Sequence, residues 1–178
     1  GYLVERLTNQ TWEDAVRKLV FDPLEMSHSN FSVLESQKAS EYALPYKEEN
    51  DELKQIPFRE IDLMGPAGSI NSNVEDMSHW LIVHLNDGKF KGKEIISPST
   101  LADIHTPYMT TGAMVKRPEI SQADYALGWF VDNYRGHQRL HHGGNIDGFA
   151  AQVAFLPESR LGFVLLANVT ATPLQQLA

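Results

Sequence analysis

The chain has 178 residues, 42% of them hydrophobic and 21% charged, which suits one globular domain with a core of its own. A formal net charge of -8 argues against a nucleic-acid or anionic-membrane partner, and no apolar run is long enough to span a bilayer. With no cysteine, the chain offers no disulfide, no thiolate metal site and no cysteine nucleophile.

The first third predicts one helix and a long irregular stretch. Thr11-Trp12-Glu13-Asp14 has the form of a capping box, and Trp12, Ala15, Val16, Leu19 and Val20 follow with the spacing of one buried helical stripe. Asp22-Pro23 ends it, because proline disfavours helix in the residue before it. Residues 27–64 are polar and interrupted by Pro45 and Pro57, and they read as a surface excursion. The tetrapeptide Gly65-Pro66-Ala67-Gly68 is a turn signal without phosphate-binding context.

Two further helices are expected. Ser72-Asn73-Val74-Glu75 reads as a capping box before an apolar helix that Asp87-Gly88 stops. Lys89, Lys91 and Lys93, broken by Gly92, read as a solvated turn. Ser97-Pro98 opens the next helix and Thr106-Pro107 ends it.

From Tyr125 the apolar period changes to two. "YALGWFVDNY", "HQRLHH" with the glycines after it, "FAAQVAFL" and "LGFVLLANV" are joined by short turns at Arg135-Gly136 and Pro157–Arg160. Helices followed by an antiparallel meander of about four strands predict an α+β chain. Residues 1–124 form a mainly helical and loop part, and residues 125–170 a sheet part.

Chemistry is scarce. Seven histidines are present, but His79 and His84 lack the spacing of a zinc-binding helix, and His141 and His142 alternate across a strand. No Gly-x-Ser-x-Gly elbow and no nucleotide-binding glycine motif occurs. The stretch "HHGGNIDGF" at 141–149 is unusual, since glycine weakens a strand. It has two readings. In one, His142 is an ordinary strand histidine beside a bulge. In the other, His142 faces a pocket, the glycines clear the strand for a substrate, and the next backbone N–H serves an oxyanion.

The second reading gains from a resemblance. "HGGNIDGF", "YALGW" at 125–129, "FLPESRLGFVLLAN" at 155–168, "GPAGSINSNVEDMSHWL" at 65–81 and "VFDPLEMSHSNF" at 20–31 occur in the order seen in the serine β-lactamase-like superfamily. That superfamily includes class C β-lactamases, penicillin-binding proteins, esterases and D-aminopeptidases. The chain is most similar to the group whose third motif is His-x-Gly, here His142-Gly143-Gly144. In the fourth phrase this chain has Ser69-Ile70-Asn71, a weak match to the family's Ser-x-Asn. In the fifth, Glu25 stands where glycine is usual. The superfamily's Ser-x-x-Lys and Tyr-x-Asn motifs do not occur.

The resemblance implies a β-lactamase/transpeptidase-like fold, present here as a partial domain over residues 1–178. The parent would be a serine hydrolase or acyltransferase that attacks an amide, ester or β-lactam carbonyl through an acyl-enzyme, without a cofactor. This chain would be a fragment lacking the nucleophile, its lysine and the tyrosine motif, and inactive alone. His142 would serve catalysis and the backbone N–H of Asn145 would be an oxyanion donor. Gly143, Gly144, Gly148 and Tyr125 would line the substrate. The partner would be a small-molecule or peptide-like substrate, with self-association through an open sheet edge. A bacterial periplasmic or extracellular setting fits the resemblance. The rival readings are a binding or assembly module that keeps the fold without the chemistry, and a histidine metallohydrolase.

Overall fold

A computed structural model of the chain describes residues 1–112 and 117–172. Helix α1 (Tyr2–Thr8) buries none of its residues, and Tyr2, Leu3 and Leu7 are exposed. Helix α2 (Trp12–Val16) starts at Thr11, whose hydroxyl accepts the Asp14 N–H at 3.1 Å. It does not continue as one α-helix to Val20. Residues Arg17–Phe21 form a π-turn, closed by the Asp22 N–H donating to the Arg17 carbonyl at 2.8 Å. The wider turn shifts the helical register, so Leu19 points outward, 59% exposed, and Phe21 takes the inner place.

Residues 27–64 carry more structure than expected: helix α3 (Val33–Ser36) and a hairpin of β1 (Tyr46–Glu49) and β2 (Glu52–Gln55). Asn50 and Asp51 make its turn with φ of 55° and 61°, the left-handed pair a two-residue hairpin needs. The strands carry no alternating apolar signal because little of the hairpin is buried. A 3-10 turn (Asp62–Met64) then leads into the single turn α4 (Gly65–Gly68).

Helix α5 (Val74–Leu85) is capped by Asn73, one residue later than the capping box suggested; its side chain accepts the Asp76 N–H at 2.8 Å. Ser72 is instead within 2.8 Å of the Ser29 hydroxyl. The short hairpin β3 (Lys89–Phe90) and β4 (Lys93–Glu94) follows, then α6 (Pro98–His105) with Ser97 as its cap.

The sheet has six antiparallel strands in the order β10-β9-β8-β7-β6-β5. They are β5 (Met109–Thr110), β6 (Asp124–Tyr125), β7 (Phe130–Tyr134), β8 (His137–Ile146), β9 (Phe149–Leu156) and β10 (Leu161–Ala167). The last four are the expected meander; β5 and β6 add two short strands at one edge. "YALGWFVDNY" is therefore two strands, β6 and β7, with Gly128 between them at φ 86°.

Helix α5 lies between two apolar clusters. Val83 joins Trp12, Phe21, Leu24, Met26, Phe31 and Phe90, while Leu81 joins Trp129, Val131, Leu140, Val153 and Phe155 from the sheet. The helix crosses β10 closely at Gly162, where a Cβ would meet Leu85 Cδ1 at 3.2 Å and Phe155 Cβ at 3.1 Å. The helix thus fixes the sheet face from which β8 projects.

Candidate active site

Strand β8 is built in two parts. Its first half, His137–His141, follows a turn at Arg135-Gly136 (φ 50° and 87°) and pairs with β7 from Tyr134↔His137 to Phe130↔His141. Leu140 is fully buried in the core beneath it. On the other face, Arg139 donates to both carboxylate oxygens of Asp132, at 3.0 and 2.8 Å. The same carboxylate has His141 Nε2 at 3.3 Å, a close polar contact outside hydrogen-bond geometry. Burial pushes the Asp132 carboxyl up, but the contacts to His141 and Arg139 outweigh it and hold the pKa at about 2.

The second half, His142–Ile146, runs past the end of β7. Its ladder to β9 continues to Ile146↔Phe149, whereas the ladder to β7 stops at Phe130↔His141. His142 shares the face of Leu140 and Val153 but lies beyond the core and is exposed. The Tyr125 ring comes round the end of β7, packs edge-on against Phe130, and brings its hydroxyl to 3.1 Å from His142 Nε2. His142 Nδ1 lies 2.8 Å from the Gly143 carbonyl. His141 and His142 diverge as alternation requires, yet Phe130 touches both rings, stacked on the first and tilted on the second.

Gly143, Gly144 and Asn145 are all exposed. A Cβ on Gly144 would meet only Ala151 Cβ, at an ordinary 3.7 Å, so packing does not demand glycine there. Gly148 differs from the substrate-lining role expected of it. It is buried in the β8–β9 turn with φ 89°, its N–H donates to Thr170 Oγ1 at 2.6 Å, and a Cβ would lie 2.1 Å from Pro45 Cβ. The turn alone accounts for the glycine. Asp147 is exposed in the same turn and ion-pairs with Arg59 at 2.8 Å. Trp129 is buried in the core against His84 and Phe155.

Sequence reasoning missed Phe130, Asp132 and Arg139, which hold the strand that carries His142. A signal existed, since Asp132 is a carboxylate within an alternating strand pattern. A cavity of about 440 Å³ lies elsewhere, among Val33, Leu34, Tyr42, Leu44 and Phe58, and reaches the β8–β9 turn through a Phe58–Phe149 ring contact. No three His, Asp or Glu side chains gather as a metal site among the described residues. No helix among those residues is long and apolar enough to cross a membrane.

A family model described as Beta-lactamase matches residues 1–177. The chain belongs to the beta-lactamase family. Among curated relatives, the unguisins hydrolase ungD of Aspergillus violaceofuscus is 28% identical over 97% of this chain and 33% of its own length. The beta-lactamase of Escherichia coli is 25% identical over 94% of this chain and 48% of its own length. The chain thus spans about a third to a half of these family members. Its fold matches the octameric penicillin-binding protein homologue of Pyrococcus abyssi, with a TM-score of 0.79, 22% identity and coverage of 94% of this chain and 35% of that one. A D-stereospecific amidohydrolase of Streptomyces aligns with a TM-score of 0.70, 17% identity and coverage of 97% and 49%. These curated relatives are named as a hydrolase and a beta-lactamase, and the chain has the β-lactamase/transpeptidase-like fold.

Proposed function

We propose that this chain supplies the third-motif side of a serine acyl-transfer centre. The substrate carbonyl belongs to an amide, an ester or a β-lactam. Because no serine or threonine here has lysine three residues on, the reading takes the nucleophilic serine and its lysine from sequence outside these 178 residues. The serine adds to the carbonyl, the tetrahedral oxyanion collapses with loss of the leaving group, and water or an amine releases the acyl group.

One observation carries the reading: an exposed histidine followed by two glycines, at the point where β8 outruns β7. The flat edge left by Gly143 and Gly144 suits a substrate laid along the strand. In a two-residue hairpin the residues flanking the turn exchange both hydrogen bonds, so N–H groups alternate in direction from there. Counting from Tyr134↔His137, the N–H groups of His141, Gly143 and Asn145 fall on the β7 edge. That edge suits Asn145 as an oxyanion donor, with the nucleophile's own N–H as the second. One such donor is worth about 3 kcal/mol of barrier. His142 supplies hydrogen bonds beside the nucleophile, or positive charge when protonated.

The sheet's long outer strand, β10, suits pairing with another copy of the chain, and Leu161, Phe163 and Leu166 are exposed on it.

The test uses the full-length protein that contains this chain, treated with a fluorophosphonate or penicillin probe and analysed by mass spectrometry. The reading predicts a stoichiometric adduct on a serine outside residues 1–178 and turnover of a p-nitrophenyl ester or chromogenic β-lactam. An adduct on a serine within these residues, or neither adduct nor turnover, contradicts it.

A further inference from the structure

We propose that Tyr125 is a positioning residue for His142, one that donates to Nε2 and holds in place the ring whose Nδ1–H tautomer the Gly143 carbonyl sets. The argument needs only two contacts. The Gly143 carbonyl, 2.8 Å from Nδ1, can only accept, so Nδ1 carries a proton. A neutral imidazole has one N–H, so Nε2 presents a lone pair. The Tyr125 hydroxyl, 3.1 Å from Nε2, must then donate. Both ring nitrogens of neutral His142 are thereby assigned by partners on its own strand and on β6.

The arrangement is built from the sheet. Tyr125 pairs with Phe130 across β6 and β7, and the two rings meet edge to face at 4.8 Å. Phe130 in turn stacks on His141, which the Asp132 carboxylate holds. The phenol is thus aimed from a supported ring, whereas His142 itself has little packing around it.

The pair has one polarity when His142 is neutral and the reverse when it is protonated. In the neutral state the Tyr125 proton points at Nε2, and the phenol offers only oxygen lone pairs to a group in the gap. When His142 is a cation, Nε2 donates, Tyr125 accepts, and the phenol O–H turns outward as a donor. The direction of the Tyr125 O–H therefore follows the charge on His142. The use of this in catalysis rests on the acyl-transfer reading; the tautomer does not.

The test is ring nitrogen NMR on the full-length protein labelled with 15N in histidine, at a pH where imidazole is neutral. His142 is assigned by the signals that vanish in His142→Gln. The expected spectrum has a pyrrole-like Nδ1 and a pyridine-like Nε2. In Tyr125→Phe the Nε2 signal should move toward that of a pyridine-like nitrogen with no hydrogen-bond donor, while the other histidines stay in place and report an intact fold. A protonated Nε2 in the unsubstituted protein overturns the proposal without any variant, as does a Tyr125→Phe spectrum identical to it. Should the protein turn over substrate, Tyr125→Phe should lower kcat in the unsubstituted background and have no further effect on His142→Ala.

Discussion

The two halves of β8 are one strand in two settings. From His137 to His141 the strand is paired with β7 throughout and with β9 from Leu140 on, anchored by Leu140 in the core and tied by Arg139 and His141 to a buried carboxylate. From His142 to Ile146 it keeps the β9 ladder, outruns β7, and carries small or exposed residues. The change occurs between two adjacent histidines. Strand alternation sends one toward a buried anion and the other into the open. Identical side chains therefore acquire different surroundings from position alone, and on the proposed reading substitutions on either side of the divide should separate stability from chemistry.

The largest effect belongs to the anchored half. Asp132→Ala leaves Arg139 without its counter-charge and His141 without its contact, and removing one partner of a buried pair costs about 3–5 kcal/mol. Denaturant unfolding at neutral pH should show a loss near 3 kcal/mol, since the Arg139 side chain retains 14% of its exposure. A loss below about 1 kcal/mol would mean that the anchor contributes little.

Next comes the acid response, which should arise away from β8. His84 Nδ1 lies 2.8 Å from His105 Nε2, and the His84 ring is enclosed by Trp80, Trp129 and Phe155. Burial, with the nearby His105, depresses the His84 pKa from 6.5 to about 3. Burial lowers that of His105 as well. The unfolded chain therefore binds more protons than the folded one between these values. Stability is fully present above about 6.5 and is lost as pH falls toward 3, by about 1.4 kcal/mol per pH unit for one such group. Asp132, lowered from 3.8 to about 2, adds its own loss of stability only below about pH 4. His84→Leu should flatten the stability profile between pH 6 and 4; an unchanged slope would put the acid sensitivity elsewhere.

The smallest effect on stability is expected in the open half. Gly144→Ala adds a methyl group that meets only Ala151 at an ordinary distance, so stability should change by less than about 0.5 kcal/mol. The same methyl stands on the proposed substrate edge and should lower kcat/KM of the full-length protein by roughly 10- to 100-fold. Equal losses in both quantities would make Gly144 a packing residue.

Much of this division was legible in the sequence. The period-two pattern after Tyr125 marked the long strands, and the glycines after His142 marked a place where packing was not the constraint. Glu25, which replaces the usual glycine of its phrase, has φ 56°, and this explains why glycine is favoured there. What escaped were features without a local signature. The π-turn after Val16 leaves the apolar spacing almost unchanged while turning Leu19 outward. The exposed β1–β2 hairpin has no buried face to write a pattern, and strands of two residues such as β5 and β6 are too short to show one. The Asp132–Arg139–His141 contacts and the reach of Tyr125 to His142 depend on cross-strand register, which a single sequence does not display. Gly148 was legible as a turn glycine, but the Pro45 packed against it from the loop before β1 was not.

The most direct measurement compares His142→Ala with His141→Ala in the full-length protein, following kcat/KM on a chromogenic ester or β-lactam together with denaturant stability. The account predicts that His142→Ala lowers kcat/KM by at least roughly 100-fold with stability within about 0.5 kcal/mol. His141→Ala should lose about 1–3 kcal/mol of stability as its contact to the buried Asp132 is removed. It should keep kcat/KM within about tenfold, because the Phe130 contact alone links it to the site. The reverse pattern, with His141→Ala inactive and His142→Ala silent, would contradict the assignment of the open half of β8 to chemistry.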